Sequence, residues 1–180
     1  IELNTKQKEY EKNLNEYNTK KKELEKAETT INSSQSEINS KKNQLENGKT
    51  QYEGGITTLN AGIAECEKML QNPNLPDDQR QTVEQKKAGY VQQLQQTQLA
   101  YNDFLSNTYN PGMNSIKEAQ KTLDAKKEEY NIGKQQLENA NVQLQLAKKQ
   151  LDSGKNALSS SKSKLKTAKQ EYNSNKTKLD

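Results

Sequence analysis

Histidine and tryptophan are missing from this chain, and cysteine and phenylalanine occur once each. Without histidine there is no imidazole to take a proton near neutral pH, and Cys66 has no such partner to activate its thiol. Zinc sites of the usual kind need several Cys or His and cannot be built within one such chain. A lone cysteine also excludes an internal disulfide. Glu128 and Glu129 are adjacent, so on a helix they point to different azimuths and form no carboxylate pair. Gly48-Lys49-Thr50 ends like a phosphate-binding loop, but Asn43 stands where the upstream glycine would be. The expectation is a protein that is no enzyme and holds no cofactor or metal. No apolar run approaches the roughly 18 residues that a membrane span needs.

Apolar residues are scarce too, at 28% against 29% charged. That is too little for a globular core and would suit a disordered chain, were it not for placement. Leu3, Tyr10, Tyr17, Leu24, Ile31, Ile38, Leu45, Tyr52, Leu59 and Cys66 follow one another at sevens. A second run of sevens goes from Ile116 through Leu123, Tyr130, Leu137 and Leu144 to Leu179. Three residues after each sits something small or polar, such as Gly48, Gly55, Gly62, Gly133, Ala140 or Gly154. A heptad sustained this long marks a coiled coil, whose narrow seam needs few apolar residues.

The 28 basic and 24 acidic residues are mostly interspersed, as on a solvated helix surface. Residues 155–180 are the exception, with Lys155, Lys162, Lys164, Lys166, Lys169, Lys176 and Lys178 against Glu171 and Asp180. This stretch reads as a solvated face or as contact with an anionic surface such as lipid headgroups or a wall polymer. Nucleic acid is not an expected partner. The lysines lie all around the helices, and Arg80 is the single arginine.

Asn72-Pro73-Asn74-Leu75-Pro76 ends the first helix, with Asp77 or Asp78 a plausible N-cap for the next, and Asn110-Pro111-Gly112 breaks that one. The expected fold is all-α: a long antiparallel coiled-coil hairpin with a shorter third helix at or near the tip. Residues 1–70 would form the ascending arm, 71–113 a tip segment with a helix at about 78–107, and 114–180 the descending arm. Each long helix would measure roughly 100 Å. The antiparallel sense follows from seam sizes. Parallel arms would set glycine beside small residues and leave voids, whereas antiparallel arms set each large residue against a small one. One register that obeys this rule puts Tyr52 over Gly133, Gly55 under Tyr130, Leu45 with Ala140, Ile38 with Ala147 and Gly48 with Leu137. Leu59 and Leu144 belong to the same seam. Sliding by one heptad also keeps large against small. The polar seam residues Lys6, Asn13, Lys20, Lys41 and Lys126 help fix register but loosen the half nearer the termini. Three straight helices would put the chain ends at opposite poles. Either the middle helix folds over the tip, or the reversal lies at Pro73–Pro76 and Pro111-Gly112 only kinks a long descending arm. The first is preferred because the long helices then match in length.

Residues 71–113 are the most aromatic part of the chain. Leu75, Tyr90, Leu94, Tyr101, Phe104, Leu105 and Tyr109 either pack as a small helical core or stay exposed to grip a partner.

The repeats Leu45-Glu-Asn-Gly48, Tyr52-Glu-Gly-Gly55 and Leu59-Asn-Ala-Gly62, with Leu137-Glu-Asn-Ala140, Leu144-Gln-Leu-Ala147 and Leu151-Asp-Ser-Gly154, carry a resemblance. They resemble the extracytoplasmic coiled-coil domain of FtsX-like (MacB-type) permeases of ABC transporters in Gram-positive bacteria. The Pro-containing break between two arms is similar too. The YhgE/Pip family and the type VII secretion protein EsaA have comparable ectodomain repeats, and a soluble coiled-coil tether that dimerises through its seam is the third reading. The permease resemblance implies a fragment of a larger membrane protein, its arms joined to transmembrane segments. It further implies a separate cytoplasmic ATPase, with an extracellular protein or cell-wall component met at the tip. Self-association of hairpins stays open.

Overall fold

The computed structural model describes residues 2–179, with side chains from 2 to 176, so the seam position Leu179 and Lys178 lie outside the described side chains. The fold is an all-α helical hairpin. It consists of α1 (Glu2–Leu70), α2 (Asp77–Phe104), one π-helical turn (Leu105–Tyr109) and α3 (Asn110–Leu179). Among the described residues no helix is long and apolar enough to cross a membrane.

The chain reverses at the prolines after α1. Proline at 73 and 76 cannot donate to an i−4 carbonyl, so the helix ends at Leu70. The turn is tied by its own backbone, with Asn72 N donating to Met69 O at 3.1 Å and Leu75 N to Asn72 O at 3.2 Å. Asn72 Oδ1 accepts from Asn74 N at 3.0 Å, the local bond that suits asparagine to turns. Arg80 closes it. Its guanidinium donates to the carbonyls of Leu70 at 3.0 Å and Asn72 at 3.1 Å, placing a cation on the carbonyl end of α1. The N-cap of α2 is Pro76, with extended ψ of 146°. Asp77 and Asp78, expected as caps, sit instead inside the first turn, where their charge still favours the helix dipole.

The separate third helix expected at the tip does not occur. α2 passes through the π-turn into α3, and Pro111-Gly112 lies at the start of a continuing helix. The backbone shows how. In an α-helix the Pro111 ring would collide with the carbonyl four residues back, at Asn107. That carbonyl belongs to the π-turn, where the ladder widens and Asn110 N–H bonds to Leu105 O, five residues back.

The seam supplies a second reason. Inward positions on α2 fall at Val83, Lys87, Tyr90, Leu94, Thr97, Tyr101 and Phe104, in steps of four and three. Continued, this pattern would reach positions 108, 111 and 115. The residues that turn inward are Tyr109, Gly112 and Ile116, each one place later. Across from them the sevens of α1 run unbroken. The second strand of the hairpin thus carries one surplus residue, and a π-turn is the device that absorbs one residue without rotating the helix face.

The chain divides into two compact units, Ile31–Lys126 and Ile1–Thr30 with Lys127–Asp180. In the first unit α1 is antiparallel to α2 and the start of α3. Gly62 lies against Tyr90, Gly55 against Thr97, Gly48 against Phe104 and Leu45 against Gly112. Its core is Ile31, Ile38, Cys66, Val83 and Leu123, with Cys66 only 2% exposed, a small hydrophobe on the seam. In the second unit Leu24 packs on Gly133 and Leu3 on Gly154, while Leu144 and Leu151 are buried. Lys6, Asn13 and Lys20 stand exposed there.

These pairs correct the expected register. Tyr52 does not lie over Gly133, nor does Leu45 face Ala140. Leu45 meets Gly112, four heptads earlier along the strand, and Gly133 takes Leu24. The large-on-small rule is obeyed, but the upper part of α1 finds its partners in α2.

Candidate functional site

The side chains singled out for partner contact are distributed along α2 and the π-turn, and the structure brings four of them to α1. Tyr52 stacks on Tyr101 with ring centroids 5.5 Å apart and an interplanar angle of 23°. Phe104 lies 5.3 Å from Tyr52 and 6.2 Å from Tyr109. Offset and tilted rings at such separations attract beyond the area they bury. Tyr90 covers Gly62 further up the seam. Leu75 is in the turn, and Leu94 and Leu105 are half-buried along the same face. Tyr101, Phe104 and Tyr109 therefore do not sit at the reversal. They cluster at the far end of the 28-residue α2, beside residues 46–53 of α1.

Two carboxylates hold this cluster. Tyr101 Oη donates to Glu53 Oε1 at 2.7 Å, and Tyr109 Oη donates to Glu46 Oε1 at 2.9 Å. Lys49 lies one turn from each glutamate. Its ammonium is 5.4 Å from the Tyr109 ring centroid and 3.8 Å from Glu53. The hydrogen bond to Glu53 is the main reason that the Tyr101 phenol is pushed up to about 12, with desolvation and the glutamate charge adding to it. Tyr109 is raised likewise, first by its bond to Glu46. Such phenols keep their protons at neutral pH, so the cluster is a set of donors locked onto acceptors.

A folded pKa above the ordinary value of 10.0 means that the native state holds the proton more tightly. The stabilisation is present below pH about 10 and is lost as pH rises toward about 12. Spectrophotometric titration of the eight tyrosines should show a late-titrating fraction that shrinks in the Tyr101→Phe variant. A single transition near the ordinary value for all eight would contradict the Tyr101–Glu53 bond.

Beside the π-turn a cleft of about 590 Å³ opens between α1 and α3, lined by Ile38, Leu45, Gly112, Ile116, Ala119 and Leu123 among others. Glu37 and Lys41 form an ion pair at its edge, 2.8 Å apart. The small residues that admit α1 side chains also leave this hollow. Among the described residues no group of three metal-binding side chains converges.

Neither Gly112 as a packing position nor Arg80 as the tie of the turn is marked by the heptads. The one-residue slip of the seam between Phe104 and Gly112 was the available signal. No family model, curated protein or solved structure matches this chain.

Proposed function

We propose that this chain is a non-catalytic extracytoplasmic coiled-coil domain of an ABC transporter permease, which transmits motion to an extracellular partner or binds one. The observation that carries the reading is the Gly/Ala heptad repeat, present at Leu45–Gly62 and again at Leu137–Gly154, in which Gly48, Gly62 and Gly154 each admit a large residue of a facing helix: Gly48 and Gly62 take Phe104 and Tyr90, and Gly154 takes Leu3. Close helix approach at glycine, with aromatic and aliphatic side chains filling each layer, resists sliding of one strand on the other. That suits a part which must pass on movement rather than hold a reaction. Its partners on this reading are flanking transmembrane segments of the same protein and a separate cytoplasmic ATPase. The outward contact is an extracellular protein or cell-wall component, met through the half-exposed aromatic cluster and the turn.

Asn74 is exposed in the turn, whereas Cys66 is buried and gives little background reaction. In intact source cells a membrane-impermeant maleimide should label the Asn74→Cys variant. Labelling only after the membrane is opened would overturn the extracytoplasmic placement. Recruitment of the outward partner should fall in Tyr101→Ala/Phe104→Ala with helicity retained, and unchanged recruitment would remove the cluster as the contact.

A further inference from the structure

The cleft beside the π-turn is an under-filled stretch of the seam. Leu45 rests on Gly112. Counting down α1 and up α3 from that contact sets Lys41 level with Ile116, Ile38 with Ala119 and Ser34 with Leu123, and all of them line the cleft. Each layer therefore joins one aliphatic side chain to a small or outward-turned companion. Nearer the turn, aromatic rings fill the space over Gly48 and Gly62. Here no ring is present, and Lys41 leaves its layer to pair with Glu37 at 2.8 Å, its side chain 62% exposed. Ala119 is exposed although it stands on the seam, whereas Gly112, Gly133, Ala140, Ala147 and Gly154 are half-buried. Both helices run on past the hollow in each direction, so no chain end creates it.

Shape limits what can lie there. A hollow of about 590 Å³ is within the roughly 300–1,000 Å³ of small-molecule sites. Ile38 and Leu123 are only 9% and 3% exposed. They wall a slot and offer no apolar face as wide as a docking helix needs. Along α3 the slot reaches from Thr108 to Lys126, about 27 Å at the helical rise, which suits an extended chain. Its rim residues Glu37, Gln44, Ser115 and Thr122 each precede a large seam residue by one. Gln35 and Gln120 follow large seam residues by four, on the other flank, where they join the helices at 3.1 Å. The slot is thus open along one flank and bridged along the other.

Charge sets the polarity of the occupant. Glu37 and Lys41 neutralise each other at the rim. Lys126, at one end, is exposed and has no ion pair among the described residues. Thr108 and Gln44, at the other end, are uncharged. An apolar slot with an unpaired cation at one end is complementary to a hydrocarbon chain that ends in an anion.

We infer that the slot between α1 and α3 binds a free single-chain anionic amphiphile of the long-chain carboxylate class. Its chain lies along Leu45, Ile116, Ile38 and Leu123, and its carboxylate meets Lys126. The inference rests on the slot and its one unpaired lysine, and it holds whether or not the chain belongs to a permease.

The test is calorimetric titration of the whole chain with myristate below its micellar concentration. Each methylene that leaves water strengthens binding by about fourfold, so decanoate should bind at least about tenfold more weakly. Tetradecyltrimethylammonium, an equally long chain ending in a cation, should also bind at least about tenfold more weakly. Lys126→Glu should reverse that preference, weakening myristate and strengthening the ammonium. Ala119→Leu puts a side chain into the slot from an exposed position, so it should abolish uptake while the melting temperature holds or rises. No saturable uptake of myristate overturns the inference, as does equal affinity for the two head groups or uptake unchanged in Ala119→Leu. A ligand-free dimer in sedimentation that Ala119→Leu abolishes overturns it too, since a second copy would then fill the slot. Flotation with phosphatidylglycerol vesicles that needs Lys126, without uptake of monomeric myristate, would assign the lysine to a membrane surface instead.

Discussion

Removing Ser106 together with Pro111→Ala should leave the hairpin folded and melting within about 1 kcal/mol of the parent, even though the chain is one residue shorter. Ser106 is exposed in the π-turn, and its loss brings Tyr109, Gly112 and Ile116 into line with the steps of four and three that precede them. The turn can then close as ordinary α-helix. The proline must go as well, because in a straight helix its ring and missing N–H cost about 3 kcal/mol. Deleting Lys121 in the same Pro111→Ala background should behave quite differently. Lys121 is equally exposed, but no surplus residue exists there. The loss turns Leu123, 3% exposed in the parent, and the seam after it by about 100° relative to what precedes it. Exposing one buried leucine costs about 1.5–3 kcal/mol, so losing two or more such layers should lower stability by about 3 kcal/mol or more. Thermal melts followed by circular dichroism compare the two deletions directly. Equal destabilisation would show that the π-turn answers to the proline alone and not to the seam.

The same seam slip explains what was legible in the sequence. The sevens from Leu3 to Cys66 specify α1 without ambiguity, and the antiparallel sense follows from glycine needing a large neighbour. The partner of upper α1 was harder to see, because the inward face of α2 hides its repeat behind polar residues. Arg80, Lys87 and Thr97 occupy seam positions there. Two of them are used: Arg80 binds the carbonyls that end α1, and Lys87 reaches Glu67 at 2.9 Å. With α2 read as a cap, Tyr52 is matched to a small residue of α3, Gly133 in one allowed register, although Tyr101 and Phe104 lie nearer in sequence. Pro111 completed the misdirection. As the second residue after the π-turn it falls where a missing N–H costs little, so it marks a change of helix type rather than an end. The aromatic cluster was legible as residues but not as geometry, since its position depends on register.

Glycine replacements should divide by sign according to what each one faces. None of the described glycines has a positive φ, so their purpose is close approach and not backbone freedom. At Gly54 and Gly89 a Cβ would meet nothing within 4 Å. Alanine at either should raise stability by up to about 1 kcal/mol through helix propensity alone. At Gly62 the added carbon would sit 2.8 Å from Cε2 of Tyr90, with two more ring atoms at 3.0 and 3.1 Å. A ring packed across a seam cannot bend away as a leucine methyl can. The propensity gain should therefore be cancelled or reversed in Gly62→Ala, and Gly62→Val should cost about 2–3 kcal/mol. Gly48→Ala should behave similarly, because Cζ of Phe104 would lie 2.9 Å away. At Gly133 and Gly154 the close atoms are the ends of Leu24 and Leu3, which can rotate, so alanine there should be nearly neutral. The decisive comparison is a cycle with Tyr90→Ala. Once the ring is gone, Gly62→Ala should stabilise like Gly54→Ala, and the coupling between the two sites should be at least about 1 kcal/mol. Additive effects in that cycle would mean that Tyr90 does not rest on Gly62, and the register built on that contact would fall with it.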